Sequence, residues 1–95
     1  GLVRRGDDGR ARNVAVAFGP DGREIALYAK RRPFVPGGEV WAAGDAPVSF
    51  AWDGAAVSLH VCYDLRFPEL FRDHPRGVRP EVLLVIASWP RPRIR

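Results

Sequence analysis

Methionine is absent from this 95-residue chain, position 1 included, and cysteine occurs once, as Cys62. The first absence suggests a processed product or a piece of a longer protein. The second excludes an internal disulfide, so a reducing compartment, the cytoplasm, is the expected location. No apolar run approaches the ~18 residues a membrane-spanning helix needs. The opening GLVRRGDDGR also lacks the apolar stretch of a signal peptide, and no membrane partner is expected. Low-complexity tracts and internal repeats are missing too. Lysine is nearly so: of fifteen basic residues, fourteen are arginine and one is Lys30. A solitary ammonium among guanidiniums suits a place that needs a compact point charge able to give up its proton. Chance retention of one lysine is the competing reading.

What is present fits one small, turn-rich globular domain: 46% apolar residues, with ten glycines and nine prolines. A net charge of +4 invites a nucleic-acid reading. The arginines are scattered, however; only Arg31-Arg32 and the closing RPRIR cluster, and no aromatic-basic stacking motif accompanies them. A solvated basic surface accounts for the charge, and no nucleic-acid partner is expected. Binding that weakens steeply with salt would be the mark of the alternative.

Along the chain, RNVAVAF at 12–18 alternates, with Val14, Val16 and Phe18 on one side, as in a half-buried strand. GPDG at 19–22 is a turn signal, and REIALYAK at 23–30 completes a hairpin with Lys30 at its far end. In that strand Ile25, Leu27 and Ala29 share one face, and Ala26, Tyr28 and Lys30 the other. Residues 31–47 hold three prolines and three glycines without a period, and long ordered loops of this kind tend to be functional. VSFAW, the turn dipeptide Asp53-Gly54 and AAVSLHVC form a second hairpin. Val57, Leu59 and Val61 lie on one face of its second strand, and Ser58, His60 and Cys62 on the other. Pro68 and Glu69 suit a helix start, with about two turns in PELFRDH before Pro75. EVLLVIAS at 81–88 is apolar without alternation, the pattern of a strand covered on both faces. Strand, helix and buried strand make a βαβ unit, so the fold class is α/β with a partly parallel sheet. Ninety-five residues do not supply the layers such a strand requires, which again suggests a longer protein.

Chemistry centres on Cys62. As a free cysteine it suits a buried core position. As a residue at the carboxyl end of a strand, just before a helix, it stands where open α/β sheets place ligands. A helix N-terminus and a cation would both favour its thiolate, and the Tyr63 N–H would face an oxyanion. His60 is a weak candidate base: same-face neighbours on a strand lie ~6–7 Å apart, too far for a direct hydrogen bond without a bend. A histidine satisfied in the core is the competing reading, and His74 reads as surface. Lys30, read alone, is an exposed strand-end lysine. Placed before the long loop, it is a candidate to hold a thiolate and then an oxyanion. Glu39 would pair with it, or stand as a solvated loop carboxylate. One cysteine and two histidines without ligand spacing make no zinc cage, and no phosphate loop or dinucleotide fingerprint occurs, so no cofactor or metal is expected.

PDGREIALYAKRRPF, GGEVWAAGD, VSLHVCYDLRFPELFR and EVLLVIASWPRPR, in that order, resemble the nitrilase superfamily of carbon–nitrogen hydrolases. CYDLRFP with a downstream WPRPR is similar to the amidase branch, especially its omega-amidase-like members. The resemblance implies an αββα four-layer sandwich, of which residues 1–95 would be the central portion, truncated at both ends. It implies a homodimer that buries one helical layer, a small-molecule amide as substrate, and no cofactor. It further implies Cys62 as nucleophile, Lys30 as the oxyanion-stabilising lysine, Glu39 as a supporting glutamate and Tyr63 as an oxyanion N–H donor, with Phe34 and Trp89 lining the substrate pocket. The family's general-base glutamate is expected upstream; Glu24, the sole glutamate before Lys30, sits in a strand without the family's surrounding motif. The expected reaction of the full-length protein is amide hydrolysis through a thioester with release of ammonia, the 95-residue piece alone being inactive. Nitrile hydrolysis by the same residues, or a non-catalytic binding piece, are the alternatives.

Overall fold

The computed structural model describes residues 1–34 and 41–88. Its order is β1 (Leu2–Arg5), β2 (Ala11–Phe18), β3 (Glu24–Ala29), β4 (Ser49–Trp52), β5 (Ala55–Val61), a 3-10 segment (Cys62–Arg66), α1 (Pro68–Arg72) and β6 (Val82–Ile86). Two three-stranded sheets result, ordered β1-β2-β3 and β4-β5-β6. The first is antiparallel throughout; in the second, β4 runs antiparallel and β6 parallel to β5. The fold is α/β, with the expected βαβ crossover.

Turn chemistry sets both expected hairpins. Asp53 and Gly54 have φ of 51° and 82°, the left-handed pair a two-residue hairpin loop requires. The β2–β3 turn closes with the Gly22 N–H on the Gly19 carbonyl at 3.0 Å. The structure adds a further hairpin at the N-terminal end. Leu2–Arg5 pairs with β2 in the register Leu2–Val14 to Arg5–Ala11, and the Asp8–Arg12 ion pair at 2.7 Å lies by its turn.

The sheets meet through small residues on one side and branched residues on the other. Ala15 and Tyr28 pack against Leu59 and Val61, with Ala17, Ala26, Val48 and Phe50 around them. Cross-strand pairs Ala15–Tyr28 and Ala17–Ala26 therefore point inward. The alternation Val14, Val16, Phe18 marks the opposite face of β2, on which Phe18 is 56% exposed. Alanines on the inner face let the sheets approach closely; on the opposite face Val14 is buried and Phe18 is open. Lys30 follows Tyr28 on the inward side of β3 and is 4% exposed, so the strand-end lysine is not a surface residue.

β6 is left open, as expected of a chain too short to supply its covering layers, and the helix is shorter than expected. β6 is not covered on both faces: Val82, Leu83, Leu84 and Ile86 are 38–47% exposed. The helix is five residues rather than two turns, because Asp73 is extended at φ −92°, ψ 111° and Pro75 follows.

Candidate active site

β5 is buried from Val57 to Val61, and the strand ends abruptly at Cys62. Cys62 has φ of 41°, a left-handed conformation that costs a non-glycine residue about 1–2 kcal/mol. That backbone breaks the strand alternation. Cys62 packs against the Ala15–Tyr28–Leu59–Val61 cluster instead of extending the face of Ser58 and His60. The thiol is half-buried. Tyr63 occupies the first turn of the 3-10 segment, where backbone N–H groups find no acceptor within the turn.

Lys30 is brought to this end of the sheet pair from β3. Its own N–H donates to the Asn13 carbonyl at 2.8 Å, and its carbonyl accepts from Gly44 N–H at 2.8 Å. Gly44 is a close-approach position: a Cβ there would lie 2.2 Å from the Ala29 carbonyl oxygen. The returning half of the long loop thus lies directly on the lysine strand, and Ala42 bridges to Arg12 beside it.

Between the lysine and cysteine segments sits Asp64, fully buried. Its Oδ2 accepts from the Tyr28 hydroxyl at 2.6 Å and from the Val61 N–H at 3.0 Å, and its Oδ1 accepts from the Arg32 N–H at 3.0 Å. Burial, and then the bond to this carboxylate, push the Tyr28 hydroxyl far above the usual phenol range and keep it a donor. Sequence reasoning did not single out Asp64 or Tyr28. The available signal was a carboxylate two positions after the cysteine, in a chain where buried acids need paired donors.

Four contacts carry residues 31–34 across onto the segment after Cys62. Besides the Arg32–Asp64 bond, Arg31 pairs with Asp73 at 2.8 Å, and the Arg32 guanidinium lies 5.2 Å from the centre of the Phe67 ring. Phe34 meets Tyr63 ring to ring at 4.7 Å, and Tyr63 meets Phe67 edge-on at 5.3 Å. Phe34 and Tyr63 therefore form one aromatic surface beside the cysteine turn. Glu39 and Trp89 lie outside the described residues.

His60 is a core residue. Its Nε2 pairs with Ser58 Oγ at 3.1 Å, and its ring lies against Phe71 at 4.3 Å and Tyr28 at 6.1 Å. Burial holds it below the ordinary imidazole value, with Asp64 opposing and His74 and Arg31 adding to the effect. Glu24 is on the surface, paired with Arg4 at 2.8 Å. His74 is half-buried. Among the described residues no cluster of His, Cys, Asp and Glu is disposed to hold a metal. No helix there is long and apolar enough to cross a membrane.

Together, the paired sheets and the βαβ crossover define an α/β protein in which a cysteine stands in a left-handed turn at a strand end. The family described as carbon-nitrogen hydrolase matches residues 1–87, and the chain belongs to it. The chain is 38% identical over 74 residues to a formamidase of Bacillus thuringiensis, a match covering 76% of this chain and 22% of that protein. Its structure resembles a CN-hydrolase superfamily protein of Xanthomonas campestris with an arsenic adduct in the active site. That match has a TM-score of 0.82 at 32% identity and covers 98% of this chain and 37% of the other. It also resembles an amidase from Nesterenkonia sp., with a TM-score of 0.74 at 28% identity, over 92% of this chain and 34% of the other. The chain thus spans about a fifth of the length of the curated formamidase it matches.

Proposed function

We propose that the intact protein hydrolyses small-molecule amides by nucleophilic catalysis at Cys62. The observation that carries this reading is the Cys62 turn itself. A half-buried thiol is held at φ 41° where β5 ends, and the segment carrying the buried Lys30 is tied to the same turn by the bonds of Tyr28 and Arg32 to Asp64. Strain of this kind is retained where surrounding contacts enforce it, and it clusters at functional sites. A solved form of the Nesterenkonia amidase, carrying the product of Michael addition of acrylamide at its active-site cysteine, supports the same role for Cys62.

In this mechanism a glutamate outside residues 1–95 takes the thiol proton, and the Cys62 sulfur attacks the amide carbon. Lys30 and the Tyr63 N–H stabilise the tetrahedral oxyanion. The C–N bond breaks, the protonated amine leaves as ammonia, and an acyl thioester remains on Cys62. Water then adds to the thioester, the carboxylic acid departs and the thiol is restored. Glu39 orients Lys30, and Phe34, Tyr63 and Trp89 bound a pocket for a small acyl group. The enzyme acts in the cytoplasm as a homodimer and uses no cofactor.

The acyl group is the finer question. The formamidase likeness favours formamide, whereas the CYDLRFP context favours ω-amido acids. Ammonia release from formamide, propionamide and succinamate by the intact protein separates these, and propionitrile included in the panel tests nitrile hydrolysis. Cys62→Ala should lower turnover by at least ~10⁴-fold. Lys30→Arg should lower kcat by about 10²–10³-fold, because a planar fork cannot stand in for a compact ammonium. Wild-type protein inert on the whole panel would overturn the reading in favour of a binding protein, and near-normal rates in Cys62→Ala would overturn the role of Cys62.

A further inference from the structure

We propose that Asp64 is a positioning residue, whose carboxylate sets the spacing between Lys30 and Cys62 by holding the chain on either side of each. The inference rests on the catalytic roles proposed above for those two residues, and concerns how they are kept together.

The donors to Asp64 are distributed in a telling way. Tyr28 is two residues before Lys30 and Arg32 two residues after it; both bond to the one carboxylate. On the other side, Val61 immediately precedes Cys62, and Asp64 itself lies two residues beyond it. The carboxylate therefore spans the lysine from both sides and the cysteine from both sides. Nothing about a generic buried acid requires this, since any nearby N–H groups would satisfy its lone pairs.

Chemistry also requires the acid and not its amide. Oδ2 accepts from both the Tyr28 hydroxyl and the Val61 N–H, while Oδ1 accepts from the Arg32 N–H. An asparagine oxygen placed at Oδ2 would turn its NH₂ toward the Arg32 N–H, donor against donor. The amide isostere thus keeps the shape, the cysteine side of the tether and the Tyr28 bond, but releases the Arg32 bond on the lysine side. Tyr28→Phe removes one hydroxyl and leaves both backbone bonds in place. A shift of about 1 Å between reacting groups is worth as much as 10²-fold in rate. The tether thus acts on turnover more than on substrate binding.

The test uses the intact protein and two readouts. In steady-state assays with propionamide and formamide, Tyr28→Phe is expected to lower kcat about tenfold and Asp64→Asn about a hundredfold, with KM changed less than about twofold. Circular dichroism confirms that each variant is folded at the assay temperature. The second readout needs no turnover: the rate of Cys62 alkylation by iodoacetamide in a cycle of Lys30→Ala, Tyr28→Phe and the double variant. If the tether works through the lysine, Lys30→Ala and Tyr28→Phe each slow alkylation, and the double variant is no slower than Lys30→Ala alone. Lower thermal midpoints with unchanged kcat and unchanged alkylation would reduce Asp64 to a structural residue and overturn the proposal. So would multiplicative effects in the cycle. Should Asp64→Asn fail to fold, the Tyr28→Phe series decides alone. Loss of the proposed function itself would show differently, as wild-type protein inert on every amide or indifferent to Cys62→Ala.

Discussion

His60 shows at the scale of one residue how burial decides a role. Its neighbour in sequence order, Cys62, lies two positions on, yet the imidazole is spent on Ser58 and on packing between Phe71 and Tyr28. The buried Nδ1 has no partner among the described residues, and the group is held below the ordinary imidazole value, chiefly by burial. The sign of the resulting pH dependence follows by linkage. The unfolded chain binds a proton near pH ~6.5 while the folded chain resists it, so stability rises with pH across that interval and falls on acidification. Urea unfolding of the intact protein should show a midpoint that drops between about pH 7 and 5. His60→Leu should flatten that part of the curve, and an equally steep curve in the variant would remove His60 as its source. At the same scale Gly44 and Gly54 make a contrast. Gly54 needs only its φ of 82°, with open space around it, so Gly54→Ala costs about 1 kcal/mol. Gly44→Ala must displace the loop from the Ala29 carbonyl, and should lower both thermal midpoint and kcat through the Lys30 backbone. Equal midpoints for the two variants would contradict that distinction.

Elements were legible in the sequence where local chemistry alone determines them. The Asp53-Gly54 dipeptide and the flanking alternation identify the β4–β5 hairpin, and the nonalternating VLLVI after a helix start identifies the parallel strand. β1 was not legible because only Leu2 and Val3 are apolar in it; partnership with β2, not its own pattern, makes it a strand. Alternation also shows that β2 has two faces without showing which one is inward. The larger side chains Val14, Val16 and Phe18 suggest the wrong one, since the close sheet-to-sheet contact is made by Ala15 and Ala17. The candidate site divides in the same way. Cys62 and Lys30 stand out by rarity and position, whereas Asp64 and Tyr28 become visible only when residues 36 positions apart are laid together. That long-range bond is an element-scale device, because it joins β3 to the turn after β5. Tyr28→Phe removes a buried hydrogen bond to a charged acceptor, and should destabilise the intact protein by about 1.5–3 kcal/mol in urea titrations. A loss under ~0.5 kcal/mol would mean that the two sheets are held in register without it.

For the whole molecule, the open faces are as informative as the buried ones. Val82, Leu83, Leu84 and Ile86 of β6, with Phe18 and Ile25 on the first sheet, are exposed apolar residues on strands whose patterns read as covered or half-covered. Edge strands with such surfaces are templates for association. A 95-residue polypeptide of this sequence should therefore self-associate and bind a hydrophobic dye, and should release no ammonia from formamide. Leu83→Lys provides a test whose sign depends on the surroundings. In the 95-residue polypeptide the substitution places a charge on an open edge strand, and should raise the concentration at which association begins. In the intact protein, if further layers pack against β6 as its continuous apolar pattern implies, the same ammonium is forced into an apolar interface and should cost several kcal/mol. Sedimentation of the short polypeptide and thermal unfolding of the intact protein measure the two arms. Improved behaviour in both would show that β6 stays open to water in the complete protein, and that its apolar run is explained by something other than burial.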